Sequence, residues 1–474
     1  MKMSRKSLGA LTHVATGERW EATRLASEID TRATCLRRSG IGRRDNVLLA
    51  HGGTPEFFVD LLAIWEVGAC AVCVNPAITR SERDTIVDFV KPKLLVSGSN
   101  DLVQKGAAPI AADRAAVLRT NGADDALADP ALILFTSGST GIPKGVVHSF
   151  RALFARLSSN RENIPSHERR VTLCPLPTHF GHGLIGNSLT SLLDGGHVLI
   201  ASNDLKTVSI LGDLVDDHGV TFMSSVPTFW KIAAKFDTRR RGASLRRVHV
   251  GSAPLSKALW SNIIEWAGTR NVVNMYGMTE TANWVAGASA AEFEPDDGLV
   301  GIAWGAQIAV KKQDSSIVNT GSGEVLIKSP SLMEGYYQRP DLTQDAFING
   351  WLRTGDLGEL DSRSVLRLTG RIKHEINRAG MKVNPEDIEM LLERSGAIED
   401  VCAFGMADEL SGETIGVVVV PADRANFNLQ NLKAWCAERL VREKQPEKWF
   451  VADHIPKNER GKVNRAQLAQ KYVP

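Results

Sequence analysis

The apolar run NVLLAHGG at 46–53, the helical stretch PEFFVDLLAIWEVGA and the apolar run ACAVCVNP follow one another directly. A strand without alternation, a crossover helix and a second such strand specify a parallel sheet buried on both faces. Pro55 stands in the helix's first turn, where a missing N–H breaks no helical hydrogen bond. A further helix is expected over 20–38, with Ala22, Leu25, Ala26 and Ile29 on one face. The alternation returns in ALILF, the helical SFRALFARLSS, and then GHVLIAS, VTFMSSVP and RRVHVGSAP. From about 299 to 370 the runs shorten to IAVKK, GEVLIK and VLRLTG, divided by Gly, Asp and Asn, which reads as a β-rich subdomain. The last hundred or so residues, an ordinary domain size, carry the strands AIEDVCAFGMA and TIGVVVVPA. They also carry a helix ending at LLER, with Asn384 as its expected cap and Pro385 first, and an amphipathic helix LQNLKAWCAERLVRE. The expected fold class is α/β. A large N-terminal domain of βαβ subdomains with mainly parallel sheets plus the β-rich subdomain spans 1–371, and a small α+β domain spans 372–474.

Composition bounds the function. At 474 residues the chain exceeds one ordinary domain. Its net charge of +2 lacks the dense basic footprint of a nucleic-acid binder. None of the six cysteines belongs to a spaced metal quartet. Cys70 and Cys73 form a C-x-x-C with apolar flanks and no second pair, which reads as buried free thiols of a reducing cytoplasm rather than a redox or zinc site. The basic N-terminus has no apolar core of a secretory signal. No run approaches the ~18 apolar residues of a membrane span. A cytoplasmic location is expected.

TSGSTGIPKGV, from Thr136 to Val146, follows a buried strand and combines hydroxyls, three glycines and Lys144. Glycines let backbone N–H groups approach phosphate oxygens, hydroxyls add donors, and the lysine adds charge. The string is not a Walker loop, because G-x-x-x-x-G-K-[ST] is absent. A flexible surface loop is the bland alternative. The string resembles the signature loop of the adenylate-forming (AMP-binding) superfamily, which includes acyl-CoA synthetases, stand-alone adenylation enzymes and beetle luciferases. The resemblance covers nearly the whole chain, in the family's motif order.

That resemblance assigns roles. Thr136, Ser137, Gly138, Ser139, Thr140, Gly141 and Lys144 would hold the phosphates of ATP. Gly251, Ser252 and Ala253 of GSAPL resemble the adenine loop, and Asn274, Met275, Tyr276 and Gly277 open the motif NMYGMTE. There Tyr276 would stack on adenine, Thr279 would bond the α-phosphate and Glu280 would hold Mg²⁺, a hard cation that takes only one or two protein carboxylates. Asp356 of WLRTGDLG would accept from both ribose hydroxyls, with Arg371 beside it. Lys373 falls at the family's hinge and Gly380 where the small domain lines the thiol tunnel; that domain is expected to be mobile. Lys462 of IPKNERGKVNR matches the lysine of the first step, although by itself it reads as a surface lysine. His374 takes a place that is often acidic in the family and receives no role. His179 of LPTHFGHG would flank the substrate carboxylate; His179 and His182 lack the third ligand of a metal site.

The implied reaction is ATP-dependent conversion of a carboxylic acid to acyl-AMP and then to a thioester. The thiol would be coenzyme A or the phosphopantetheine of an acyl-carrier protein. Lys444 and Lys448 favour the phosphates of CoA, while Gln445 and Glu447 dilute that charge, and Arg239–Arg241 is a second basic run. Luciferase-like oxygenation has no supporting feature, and a non-catalytic nucleotide-binding scaffold is the alternative of another class. No aspartate accompanies His179 to receive an α-amino group. Asn187, Phe229, Trp230, Asn283 and Trp284 neighbour the acid motifs and point to a small or medium acid with a ring or polar substituent.

Overall fold

The computed structural model describes residues 7–98, 125–136, 144–202, 204–236, 238, 242–378, 381–408, 412–458 and 461–472. The first βαβ unit forms as its apolar runs require. Strands Asn46–Leu49 and Cys70–Cys73 pair in parallel, register Asn46 to Cys70, and the helix Pro55–Glu66 joins them. That helix is buried from Pro55 to Trp65 except at Glu56, the signature of a helix sandwiched between layers. Its one buried charge, Asp60, is met by Arg32 at 2.5 Å. Such pairing is what a carboxylate in a dry interior needs. This six-stranded sheet ends in the antiparallel pair Pro130–Thr136 and Lys144–Ser149, with Gly335–Tyr336 on its edge.

Among the described residues the larger sheet has fifteen strands. Ala10–His13, His197–Ile200, Val171–Cys174, Phe222–Ser225, Arg247–Gly251 and Val272–Met278 run parallel side by side. Asn283–Ser289 then turns back antiparallel. The β-rich region is not a separate sheet. Leu299–Ala303 pairs at one end with Asn283–Ser289 and at the other with Leu366–Arg371, fusing the two. The pivot is Gly301, with φ 76°, where an added Cβ would stand 2.2 Å from the Gly287 carbonyl oxygen. Parallel strands therefore form the middle and antiparallel strands the wing. The main apolar core lies between the two sheets and the helices they enclose.

The C-terminal unit has its own core, which includes Ile376, Ile388, Leu392, Val417 and Leu432. Its five-stranded sheet is built on the hairpin Ile398–Asp408 and Gly412–Pro421. Two sequence expectations change here. The amphipathic helix runs only Leu429–Ala437. Asn384 stands at the cap position of Pro385–Glu393 without making a side-chain cap bond; its side chain lies against Gly370 instead. Among the described residues no helix is long and apolar enough to cross a membrane.

Candidate active site

Thr136 and Lys144 are Cα partners at the ends of two antiparallel strands. Ser137, Gly138, Ser139, Thr140 and Gly141 lie outside the described residues, as do Gly380 and Arg239–Arg241. Lys144 Nζ lies 5.5 Å from the Tyr336 ring centroid, a cation–π distance. The Tyr336 hydroxyl donates to Glu280 Oε1 at 2.8 Å. Burial, and then the Glu280 charge, push the Tyr336 hydroxyl's pKa upward, which keeps it a donor. The loop lysine, a tyrosine and the expected metal-binding carboxylate thus form one cluster.

A second cluster adjoins it. Tyr276 OH donates to Asp356 Oδ2 at 2.7 Å, and Arg371 Nε approaches Asp356 Oδ1 at 2.6 Å. Asp356 and Arg371 face each other on neighbouring antiparallel strands, and Tyr276 comes from the parallel middle of the same sheet. Burial holds the Tyr276 phenol well above its ordinary pKa, and the Asp356 charge adds to this. Lys373 lies within electrostatic reach of both clusters. Its pKa is lowered by burial and then by the positive charges of Arg371 and Lys144, while Asp356 and Glu280 act against this. Three cations thus face two carboxylates, a field that attracts an anion.

The third element is the GSAPL loop. Gly251 packs on the neighbouring strand, where an added Cβ would lie 2.9 Å from the Met275 carbonyl oxygen. Ser252 adopts φ 69°, a left-handed conformation that costs a non-glycine residue energy and is common at functional sites. Its hydroxyl meets His182 Nδ1 at 2.9 Å, and Ser224 Oγ meets His182 Nε2 at 2.6 Å. Both imidazole nitrogens are therefore used, and burial lowers the His182 pKa to about 3. His182 opens a π-helix, His182–Leu189, a helical form concentrated at functional sites. His179 is buried in the turn just before it.

Two motif residues serve the core. Asn274 Nδ2 donates to the Leu299 carbonyl at 2.7 Å, and Met275 packs with Trp284 and Trp304. Lys462 is exposed, in a turn where its N–H donates to Asn458 Oδ1 at 3.0 Å. That turn faces the large unit: a Cβ on Gly461 would lie 2.4 Å from Thr228 Oγ1. The helix holding Thr228, Pro227–Ala233, is a docking face, with Lys231 paired to Glu393 at 2.7 Å. Just beyond it Lys235 pairs with Glu399 at 2.5 Å, and Arg394 Nε donates to Asp297 at 3.0 Å. None of the motif residues lines the cavity of about 600 Å³ beside Lys257, Phe293 and Arg367.

The family model described as AMP-binding enzyme matches residues 5–337, and that of the AMP-binding enzyme C-terminal domain matches 387–462. The chain belongs to the AMP-binding enzyme family. Among similar proteins, a long-chain-fatty-acid–CoA ligase of Mycobacterium tuberculosis is 30% identical over 93% of this chain and 90% of its own. An oxalate–CoA ligase of Arabidopsis thaliana is 29% identical over 92% and 90%. The fold matches ATP-bound MatB from Rhodopseudomonas palustris with a TM-score of 0.85 at 24% identity, covering 98% of this chain and 96% of that one.

Sequence reasoning passed over Tyr336, His148 and the contact of His182 with Ser252 of the GSAPL loop. His148 Nε2 donates to the Thr279 carbonyl at 2.8 Å and so braces the 3₁₀ turn Thr279–Thr281. Burial lowers the His148 pKa to about 4, with the Thr279 bond opposing. Neither Tyr336 nor His148 sits at a spacing that marks it; each becomes visible only when its strand docks. His182 carried a signal, since it was singled out with His179.

Proposed function

We propose that the chain is an AMP-forming carboxylic acid–CoA ligase. The observation that carries this reading is the convergence of Tyr276, Asp356 and Arg371 beside Lys144, Tyr336 and Glu280. Motifs scattered over more than two hundred residues meet in one basic, partly buried site. The CoA ligases among its relatives favour coenzyme A over a carrier protein as the thiol.

In the first half-reaction the substrate carboxylate displaces pyrophosphate from the α-phosphorus of ATP. This displacement requires in-line positioning and charge neutralisation rather than acid–base work. Asp356 and Arg371 would hold the ribose, Tyr276 the adenine, and Thr279 the α-phosphate. Lys144, Lys373 and Lys462 would supply positive field. Glu280 fits a magnesium ion brought by the nucleotide: it is a hard ligand, already oriented by Tyr336, and among the described residues no group of three or more acidic, His or Cys side chains forms a cage of its own. Mg²⁺ held there would neutralise phosphate charge. In the second half-reaction residues 372–474 would turn about Lys373, withdraw Lys462 and bring Gly380 to the thiol path. The contact of Gly461 with Thr228 and the three ion pairs nearby support a first-step orientation in which Lys462 faces the acid side.

The test is a carboxylic-acid panel mixed with ATP, Mg²⁺ and CoA, with pyrophosphate, AMP and acyl-CoA measured. All three should appear in equal amounts. ATP binding without pyrophosphate release for any acid would support a non-catalytic scaffold. Pyrophosphate release with thioester formed only on a carrier protein would transfer the second step to that partner.

A further inference from the structure

The turn Thr279–Thr281 carries the two side chains that would meet the α-phosphate and Mg²⁺, and the protein grips it by its carbonyls. His148 Nε2 donates to the Thr279 carbonyl at 2.8 Å, and the Met333 N–H donates to the Glu280 carbonyl at 2.8 Å. The Ser331 hydroxyl donates to the Thr281 carbonyl at 3.1 Å. The Ala282 N–H closes the turn on the Thr279 carbonyl at 3.0 Å. Every carbonyl of the turn is thus bonded within the protein, and the hold uses neither the Thr279 hydroxyl nor the Glu280 carboxylate.

Behind Ser331 stands Arg156, on the helix Phe150–Asn163. It is 0% exposed. Its Nη2 donates to Ser331 Oγ at 2.7 Å, and its Nη1 donates to Ser159 Oγ at 3.3 Å and to the Trp304 carbonyl at 3.2 Å. These partners are all neutral oxygens, and Nε has no partner among the described residues. Arg32, equally buried, is met by Asp60. Burial lowers the Arg156 pKa to about 10, so the guanidinium stays charged at neutral pH without a counter-ion. A buried charge of this kind is costly, and a neutral amide could bond the same oxygens without that cost. The charge does what an amide does not: it makes a charge-assisted bond to Ser331 and so strengthens the bond that Ser331 passes to Thr281. It also places a cation on the protein's side of a turn whose other side would face phosphate.

We infer that Arg156 is a positioning residue of the adenylation step: acting through Ser331, its buried charge holds the carbonyl side of the Thr279–Thr281 turn inside the protein and keeps Thr279 and Glu280 set for the nucleotide. This deepens the ligase reading and rests on it.

The test compares Arg156→Met, Arg156→Lys and Ser331→Ala with the wild-type full-length enzyme. Arg156→Met replaces an unpaired buried cation by an apolar chain of similar length, so its Tm should not fall. In the free protein, deuterium exchange at the Ala282 and Met333 amides should quicken about tenfold or more in Arg156→Met and Ser331→Ala, and stay unchanged in the helix Lys257–Ala267. The kcat of pyrophosphate release with MgATP and the best acid of the panel should fall about tenfold or more in both variants, with the KM for the acid moving less than about twofold. Arg156→Lys, which keeps the charge, should return kcat to within about threefold of wild type. A Tm loss in Arg156→Met with unchanged exchange in Ser331→Ala would make the arginine a packing residue and overturn the inference. Arg156→Lys no more active than Arg156→Met would also overturn it; both results leave the ligase reading intact. Wild-type enzyme that releases no pyrophosphate with any acid would overturn both.

Discussion

Asp356 serves two partners at once: one carboxylate oxygen takes the Tyr276 hydroxyl and the other faces Arg371. Asp356→Asn keeps the shape and removes the charge. Breaking one side of a fully buried pair costs about 3–5 kcal/mol. Arg371 keeps about a third of its side chain in solvent, so a loss of about 1–3 kcal/mol is expected. ATP-dependent turnover should fall on the order of 10²-fold if the carboxylate also holds ribose. Urea denaturation and pyrophosphate release measure the two effects separately, and unchanged stability would show that the three residues do not act as a unit. His182 gives a pH test. Its folded pKa of about 3 lies below the ordinary 6.5, so the unfolded chain takes the proton first as pH falls. The stability from its neutral ring is complete above 6.5 and is lost between 6.5 and about 3. His148 titrates in the same window, so the variant must be compared with wild type. His182→Gln should flatten the slope of stability against pH there by up to about 1.4 kcal/mol per unit. Parallel slopes for the two proteins between pH 4 and 6.5 would contradict this.

Among the elements, the hairpin Val272–Met278 to Asn283–Ser289 carries the closest tolerances. Its register shifts between Tyr276 and Gly277, and Gly277 meets backbone that cannot move aside. Gly277→Ala should therefore cost about 1–3 kcal/mol and lower the Tm. Gly42→Ala, which has open space around its added Cβ, should change Tm little. Equal Tm shifts in a circular-dichroism melt would refute the close-approach argument. The helix ending at Ala437 shows why boundaries are hard to read locally. The apolar pattern continues beyond it, but Gln445 Nε2 donates to the Ala437 and Leu440 carbonyls at 3.2 and 2.8 Å and turns the chain away. That cap comes from residues further on, which periodicity does not register.

At the scale of the whole molecule, the two units have separate cores; the pairs of Lys231 with Glu393 and of Lys235 with Glu399 between them are exposed or half-buried, while Arg394 pairs with the buried Asp297. Each of the two exposed pairs contributes only about 0–1 kcal/mol, which is compatible with the proposed turning of residues 372–474. The proposed hinge is tied to the far end of the small unit: His374 Nδ1 meets Glu386 at 2.7 Å, and Glu386 meets Arg465 at 3.1 Å. Arg465 lies three residues after Lys462, so that turn should follow the hinge as one body. Lys462→Ala should abolish acyl-AMP formation but spare thioester formation from supplied acyl-AMP. Each half-reaction is measured by itself, and equal loss of both would remove the two-orientation mechanism.

The βαβ runs, Pro55 at its helix start and the order of the glycine-rich, tyrosine and lysine motifs were all legible in the chain alone. Each rests on short-range sterics or on a contiguous string that the next fold contact does not alter. The joining of the β-rich wing through Leu299–Ala303, the meeting of Tyr276 with Asp356 and Tyr336's hold on Glu280 were not legible. Polar side chains have many candidate partners in sequence. Only closure of the sheets brings one donor to one acceptor at bonding distance and buries both, so the tertiary structure decides which residues share the site.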